Sequence, residues 1–216
     1  MAKDTLLVLS GGMDSTTMLH EYKDTIALAV HFNYGAPQNL RESAYAAENC
    51  RRLGIELIEI PLAFMSQYFE SSLLQGGDAI PSGSYDDANM RSTVVPFRNG
   101  IMLSIAAGLA ESRGLRAVMI ANHSGDHSIY PDCRPRFIQA MSAAIAAGTY
   151  KEIALLAPYT DLSKADIACR GAALGVDYSL TYSCYRGGPT HCGTCTTCTE
   201  RRQALQAAGL PPQKKL

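Results

Sequence analysis

The sequence lacks a long apolar run: none of its 216 residues fall in the roughly 20 consecutive apolar positions that a bilayer-spanning helix needs. It also lacks an excess of either charge, with 19 Lys and Arg against 20 Asp and Glu. That balance argues against a broad nucleic-acid footprint and leaves room only for a local basic patch. No internal repeat is present. Met1-Ala2-Lys3-Asp4 runs directly into an apolar segment, without the h-region and cleavage site of a signal peptide. These absences lead us to expect a cytoplasmic protein with no membrane partner. What is present is enough hydrophobic content, 47%, for a substantial core in one large domain carrying a small appendage.

Two common nucleotide signatures are missing as well. After Leu6, Leu7, Val8 and Leu9 comes Ser10-Gly11-Gly12-Met13-Asp14-Ser15, then a helix-compatible stretch over 16–22. No lysine follows these glycines, as the mononucleotide loop requires, and G-x-G-x-x-G is absent. Strand, paired glycines and helix in that order still make an anion site. The backbone turns sharply at Gly, and the helix N-terminus aims unpaired amides at whatever sits there. A Gly-rich turn in which Ser or Asp caps the helix is the alternative. The six positions resemble the SGG-x-DS loop of the PP-loop ATP pyrophosphatase superfamily, whose members bind ATP, transfer AMP to a substrate oxygen and release pyrophosphate. The resemblance implies that Leu9, Ser10, Gly11, Gly12, Met13, Asp14, Ser15, Thr16, Thr17, Met18 and Leu19 form the ATP-binding segment.

Short runs rich in Val, Ile, Leu and Ala predict strands at 6–9, 26–32, 55–60, 117–121 and 153–157. Helices are predicted at 40–53, 99–112, 134–147, 163–174 and 199–208, several ending near Gly54, Gly114, Gly148, Gly175 and Gly209. Ser163 and Asp166 have the spacing of a capping box. This alternation predicts an α/β fold, a Rossmann-like parallel sheet with helices on both faces. Between Phe64 and Val95 the pattern breaks at Gly76, Gly77, Pro81, Ser82, Gly83 and Ser84, which predicts a long irregular connection; 211–216 reads as a tail. In such sheets ligands bind beyond the carboxyl ends of the strands. Ser10–Ser15, His31–Gly35 and Asn122–Asp126 should therefore converge on one cleft.

Near the C-terminus Cys184, Cys192, Cys195 and Cys198 form a C-x7-C-x2-C-x2-C array among Gly, Thr, Pro and Ser. Such a segment has little apolar content to fold by itself. In a reducing compartment four thiolates suit a closed, structural Zn²⁺ site, with Gly193 permitting the turn. A redox C-x-x-C pair, an iron–sulfur cluster and incidental cysteines are the alternatives. The expected organisation is an ATP-binding α/β domain over 1–178 and a small C-terminal zinc-binding module over 179–216. His191 adjoins the cluster without being needed by it. Cys50 and Cys169 fall in predicted helices as small packed side chains.

The other motifs narrow the family. They are Val95-Pro96-Phe97-Arg98-Asn99, Tyr130-Pro131-Asp132-Cys133-Arg134-Pro135 after the loop containing Asp126, Leu162-Ser163-Lys164-Ala165-Asp166-Ile167, and Ser183-Cys184-Tyr185 followed by Cys192-Gly193-Thr194-Cys195-Thr196-Thr197-Cys198. Together with the first loop they resemble, over nearly the whole chain, the 7-cyano-7-deazaguanine synthase family of queuosine precursor biosynthesis. The resemblance implies an ATP-dependent ligase that converts 7-carboxy-7-deazaguanine and ammonia to the 7-cyano compound, and it suggests a homodimer. In such a scheme adenylation activates the acid, ammonia gives the amide, and a second adenylation permits dehydration to the nitrile.

Within that reading Asp14 is a candidate to position Mg²⁺, and Arg98 and Lys164 are candidate clamps on the departing pyrophosphate or the acyl phosphate. Asp132 and Asp126 compete for the guanine-like edge, Tyr130 or Phe97 for stacking on the base, and Arg134 belongs to the same substrate segment. His31, His123 and His127 read as hydrogen-bonded loop residues or as proton relays. Two segments depart from the family: Tyr34-Gly35-Ala36-Pro37-Gln38 replaces Y-G-Q-x-H, and Phe97 and Gly100 stand in a V-P-G-R-N-T segment. A ligase that stops at the amide or uses another amine, and a PP-loop enzyme that modifies tRNA, are the alternatives. The last predicts a catalytic cysteine near the ATP loop, and none occurs in residues 1–49.

Overall fold

Leu6 and Leu7 are both fully buried although neighbouring residues of a strand point to opposite faces, so the first strand must lie between two layers. The computed structural model, which describes residues 3–74, 77 and 88–211, shows those layers. Strands β1 (Thr5–Val8), β2 (Ile26–Asn33), β3 (Glu56–Pro61), β4 (Ala117–Met119) and β5 (Ala154–Leu156) form one parallel sheet in the order β3-β2-β1-β4-β5. The helices are α1 (Met13–Glu21), α2 (Asn39–Leu53), α3 (Ala63–Tyr68), α4 (Arg98–Ser112), α5 (Pro135–Gly148), α6 (Lys164–Ala173) and α7 (Thr196–Ala207).

One face of the sheet packs Leu6, Val30 and Val118 against Leu103 and Ala106 of α4 and Ile145 of α5. The other packs Leu7, Ala29 and Met119 against Met18 of α1, Ala46 of α2 and Ile167 of α6. The chain winds from β1 through β2 to the edge at β3, then returns to lay β4 on the far side of β1. Strand order therefore reverses at β1, and a crevice opens beyond its carboxyl end.

The expected capping box is present: the Ser163 hydroxyl accepts from the Asp166 amide at 3.2 Å, and the Asp166 carboxylate accepts from the Ser163 amide at 2.9 Å. Gly54, Gly114, Gly175 and Gly209 take the left-handed conformation at helix ends, whereas Gly148 is the last residue of α5 and does not. Helix α7 begins at Thr196 rather than 199 because Cys195 is its N-cap. Helix α3 lies inside the connection predicted to be irregular; Gly76, Pro81, Ser82, Gly83, Ser84 and the tail over 212–216 lie outside the described residues. Among the described residues one stretch, Met90–Ser112, has the length and mean hydropathy (1.3) to cross a membrane, and half of it is buried inside the protein. From residue 98 onward its buried apolar side chains are the core face of α4, and residues 94–97 interrupt the stretch.

Candidate active site

The turn from β1 into α1 is shaped by its own side chains. Ser15 Oγ accepts from the Ser10 amide at 3.2 Å, the two hydroxyls lie 2.9 Å apart, and Ser10 Oγ accepts from the Gly12 amide at 3.1 Å. Gly11 has φ 86°, and a Cβ there would strike the carbonyl of Glu42 and approach the amide of Ala46 at 3.1 Å. Only glycine lets α2 lie this close to the loop. No side chain caps α1, so its first-turn amides are left facing the crevice. From the C-terminal segment, Tyr182 N donates to Gly11 O at 3.0 Å and holds the loop from outside.

The three predicted loops do converge. One cavity is lined by Ser10, Asp14 and Ser15 from the first, His31 and Tyr34 from the second, and Asn122, His123 and Asp126 from the third. Arg98 and Lys164 line it too. Lys164 Nζ lies 3.3 Å from Asp14 Oδ2, 3.4 Å from Glu200 Oε2 and 3.3 Å from His123 Nε2. His123 Nδ1 accepts from the Gly125 amide at 3.1 Å, so Nε2 carries its proton, 3.7 Å from Asp14 and 3.6 Å from Asp126. Lysine and imidazole thus share the Asp14 carboxylate. Burial by itself would lower the Lys164 pKa, but Asp14, Glu200 and Asp126 carry it above its ordinary value and keep the ammonium charged. Burial raises Glu200, with Lys164 and His123 opposing. The second Asp14 oxygen, Oδ1, is buried without a hydrogen-bond partner, an acceptor that suits a hard cation.

Across the cavity Arg98, the first residue of α4, donates to the Tyr34 hydroxyl at 3.1 Å and lies over that ring at 5.4 Å. Asp132 does not line the cavity: its Oδ2 accepts from the Asn99 amide at 2.8 Å and anchors the start of α4. Tyr130 is buried behind the wall, its hydroxyl 3.0 Å from Thr93 and 3.1 Å from Tyr185, which does line the cavity. Arg134 is exposed and donates to His127 O at 2.8 Å. Phe97 is 59% exposed and stays outside the lining. Sequence reasoning missed Gln38, Asn39, Glu42 and Glu200 around this site. It also missed Cys133, a cysteine that does line the cavity. Burial, reinforced by Asp126 and Asp132, pushes the Cys133 thiol up, so it stays protonated, unlike a catalytic thiolate.

The predicted cysteines meet. Sγ atoms of Cys184, Cys192, Cys195 and Cys198 all lie within 4.8 Å of one another, with Cys192 and Cys198 3.9 Å apart. Tetrahedral thiolates around zinc stand about 3.8 Å apart, so the set fits the ion. Amides aim at the sulfurs: Thr194 N and Cys195 N lie 3.5 and 3.3 Å from Cys192, and Cys192 N lies 3.4 Å from Cys184. Gly193 makes the intervening turn at φ 75°. His191 stays out, its Nε2 accepting from Ser183 N at 3.2 Å while its ring tilts onto Tyr182. Cys50 is buried as expected, but Cys169 is exposed, with its Sγ 3.8 Å from the Ala207 carbonyl oxygen at the end of α7. The segment is joined to the sheet domain: Ala204 and Leu205 of α7 pack with Met13 and Ala168.

Comparison with known proteins agrees with this geometry. Residues 4–209 match the family model of the queuosine biosynthesis protein QueC. A chain of Porphyromonas gingivalis named 7-cyano-7-deazaguanine synthase is 58% identical over 209 residues, covering 97% of this chain and 95% of its own. A chain of Desulfotalea psychrophila with the same name is 47% identical over 205 residues, covering 94% of both. The NMN synthetase of Francisella tularensis shares the fold, with a TM-score of 0.52 at 14% identity over 99% of this chain and 80% of that one. The chain belongs to the QueC family of queuosine biosynthesis proteins.

Proposed function

We propose that the protein is a 7-cyano-7-deazaguanine synthase that uses ATP to turn 7-carboxy-7-deazaguanine and ammonia into the nitrile, releasing AMP and pyrophosphate. The observation that carries the reading is the convergence of the uncapped Ser10–Ser15 turn, the Asp14–Lys164–His123 cluster and Arg98 on a single cavity, in a chain 58% identical to a relative of that name. A carboxylate oxygen is a poor leaving group; transfer of AMP to it, with loss of pyrophosphate, makes it a good one. Ammonia then displaces AMP, and the same activation of the amide oxygen lets the amide lose two protons and AMP to become the nitrile.

The first-turn amides of α1 cradle the phosphates and Asp14 holds Mg²⁺ beside them. Lys164, fixed by Asp14 and Glu200, follows the charge onto the departing pyrophosphate. Arg98 holds the substrate carboxylate from the opposite wall, since a guanidinium matches two oxygens. Asp126 lies on the substrate path beside His123, while Tyr130, Asp132 and Arg134 shape that path through Tyr185, Asn99 and the 123–128 loop. Four cysteines hold Zn²⁺ as a closed structural site that fixes α7. Residues 179–216 act as a module on the 1–178 domain, the protein works as a cytoplasmic homodimer, and nucleic acid is not a substrate.

The test is mass spectrometry of a reaction with purified protein, Mg-ATP, ammonium and 7-carboxy-7-deazaguanine, with AMP and pyrophosphate followed in parallel. Nitrile with AMP is expected. Amide alone would replace this reading with a ligase that stops early, and no acid-dependent AMP would reject the substrate.

A further inference from the structure

Gln38 and Glu42 stand four residues apart, at the N-cap and in the first turn of α2, and so project from one face of that helix. Both line the cavity, as does His31 of β2. Gln38 is 2% exposed and His31 1%, yet Gln38 Oε1 and His31 Nε2 have no hydrogen-bond partner. His31 Nδ1 lies 3.1 Å from the Leu9 carbonyl oxygen, which can only accept. The ring proton therefore sits on Nδ1, and Nε2 is a bare acceptor. Burial lowers the His31 pKa and keeps the ring in that neutral form. Glu42 receives one long contact, 3.5 Å from Asn39 Nδ2. Three acceptors thus face one cavity with almost nothing donating to them, although a buried polar atom left unpaired costs about 1–3 kcal/mol.

Such a wall calls for a ligand rich in N–H groups. The proposed reaction brings two heterocycles to the cavity, and their donors differ. The adenine of ATP offers one exocyclic amine and no ring N–H. A 7-deazaguanine offers an exocyclic amine and two ring N–H groups, enough for all three acceptors. Building on the proposed synthase reaction, we infer that His31, Gln38 and Glu42 form the site that reads the N–H groups of the deazaguanine base, with Glu42 taking the adjacent ring N–H and one amine hydrogen and Gln38 the other amine hydrogen. Burial pushes the empty Glu42 carboxyl up to about 8 against the pull of Arg98, and two donors would favour its ionised form.

Calorimetry on the intact zinc-loaded protein tests the inference without requiring turnover. The probes are 7-deazaguanine and 7-deazahypoxanthine, which lacks the exocyclic amine, each with and without a non-hydrolysable ATP analogue. The wild type should favour 7-deazaguanine by at least about tenfold, the size expected when a buried acceptor loses its donor. Gln38→Met and Glu42→Gln, two near-isosteric changes, should each shrink that ratio about tenfold, with zinc content and affinity for the ATP analogue unchanged. Should one variant fail to fold, the other decides. An unchanged ratio, a loss of ATP-analogue affinity in its place, or a wild type that binds neither base would overturn the inference. Selective binding of 7-deazaguanine by a wild type that makes no AMP from the carboxy acid would sustain it while rejecting the synthase reading.

Discussion

The ring of Phe97 occupies the space above Gly100: a Cβ on Gly100 would overlap the Cε1, Cζ and Cδ1 atoms of that ring. Phe97 itself adopts φ 54° and ψ 28°, the left-handed region, and meets Phe137 edge-on at 5.7 Å between centroids. The left-handed conformation costs a residue with a Cβ about 1–2 kcal/mol and costs glycine nothing. A glycine at 97, as in a V-P-G-R-N-T segment, would suit this turn. Here the bulk at 97 is accommodated by the absence of a side chain at 100. Arg98, between them, keeps its place in the cavity wall.

Gly100→Thr alone should therefore destabilise the protein by about 1–3 kcal/mol through overpacking. Phe97→Gly alone should stay within about 1 kcal/mol of the wild type, since relief of backbone strain offsets the lost contact with Phe137. The double variant should recover most of the threonine penalty. Urea unfolding of all four proteins measures the coupling, and additive effects would show that the ring and residue 100 do not compete for space.

Cys195 is both a sulfur of the four-cysteine cluster and the N-cap of α7. Cys195→Ala should cost soluble protein and bound zinc together, because metal affinity in such a segment is folding free energy. Stripping the metal from the wild type with a strong chelator should likewise melt α7 before the sheet domain. Zinc analysis with circular dichroism reads both, and a variant fully folded without metal would remove the structural role.

Glu42 makes a pH signature before any ligand is added. Its folded pKa, raised by burial to about 8 from an ordinary 4.5, favours the neutral acid in the fold. Between those values the folded chain holds a proton that the unfolded chain has lost, so its contribution to stability is complete below pH 4.5 and is lost as pH rises toward 8. Arg98 is the facing cation and Tyr34 the neighbouring phenol. Glu42→Gln, unable to ionise, should be progressively more stable relative to the wild type from pH 5 to about pH 8. A stability difference that is flat over that range would mean that Glu42 titrates as an exposed carboxyl.

What the sequence made legible is what local chemistry writes into short segments. The paired glycines after a buried strand, the Ser163–Asp166 cap and the four cysteines each state their geometry within a few residues, and each is found as read. Which residues line the cavity on its other side was less legible, because that is decided by contacts between distant segments. Asp132 has the chemistry to read a guanine edge, but the fold brings the Asn99 amide to it first. Gln38 and Glu42 look like the solvated face of a helix until Gly11 lets α2 settle against the Ser10–Ser15 turn. Glu200, two residues beyond a cysteine, becomes part of the site only because the cluster points α7 at Lys164.

That last contact joins the helix that follows the cysteine cluster to the wall of the cavity. Asp14→Ala should abolish AMP formation while leaving zinc and fold intact, since Asp14 lies in the Ser10–Ser15 turn and its charged neighbours are Lys164 and His123, not the cysteines. Glu200→Gln should keep the fold and the zinc but loosen Lys164, which then rests on Asp14 alone among its two carboxylate contacts within 3.4 Å. AMP formation should slow by about tenfold, the loss of part of one charge-stabilising contact, with the KM for the carboxy acid unchanged because Lys164 acts on the phosphate side. Quench-flow measurement of AMP with parallel zinc analysis separates the two variants. If Glu200→Gln raised the KM for the acid and left the rate alone, Lys164 would belong to substrate binding, and the assignment of the departing pyrophosphate to its ammonium would fail.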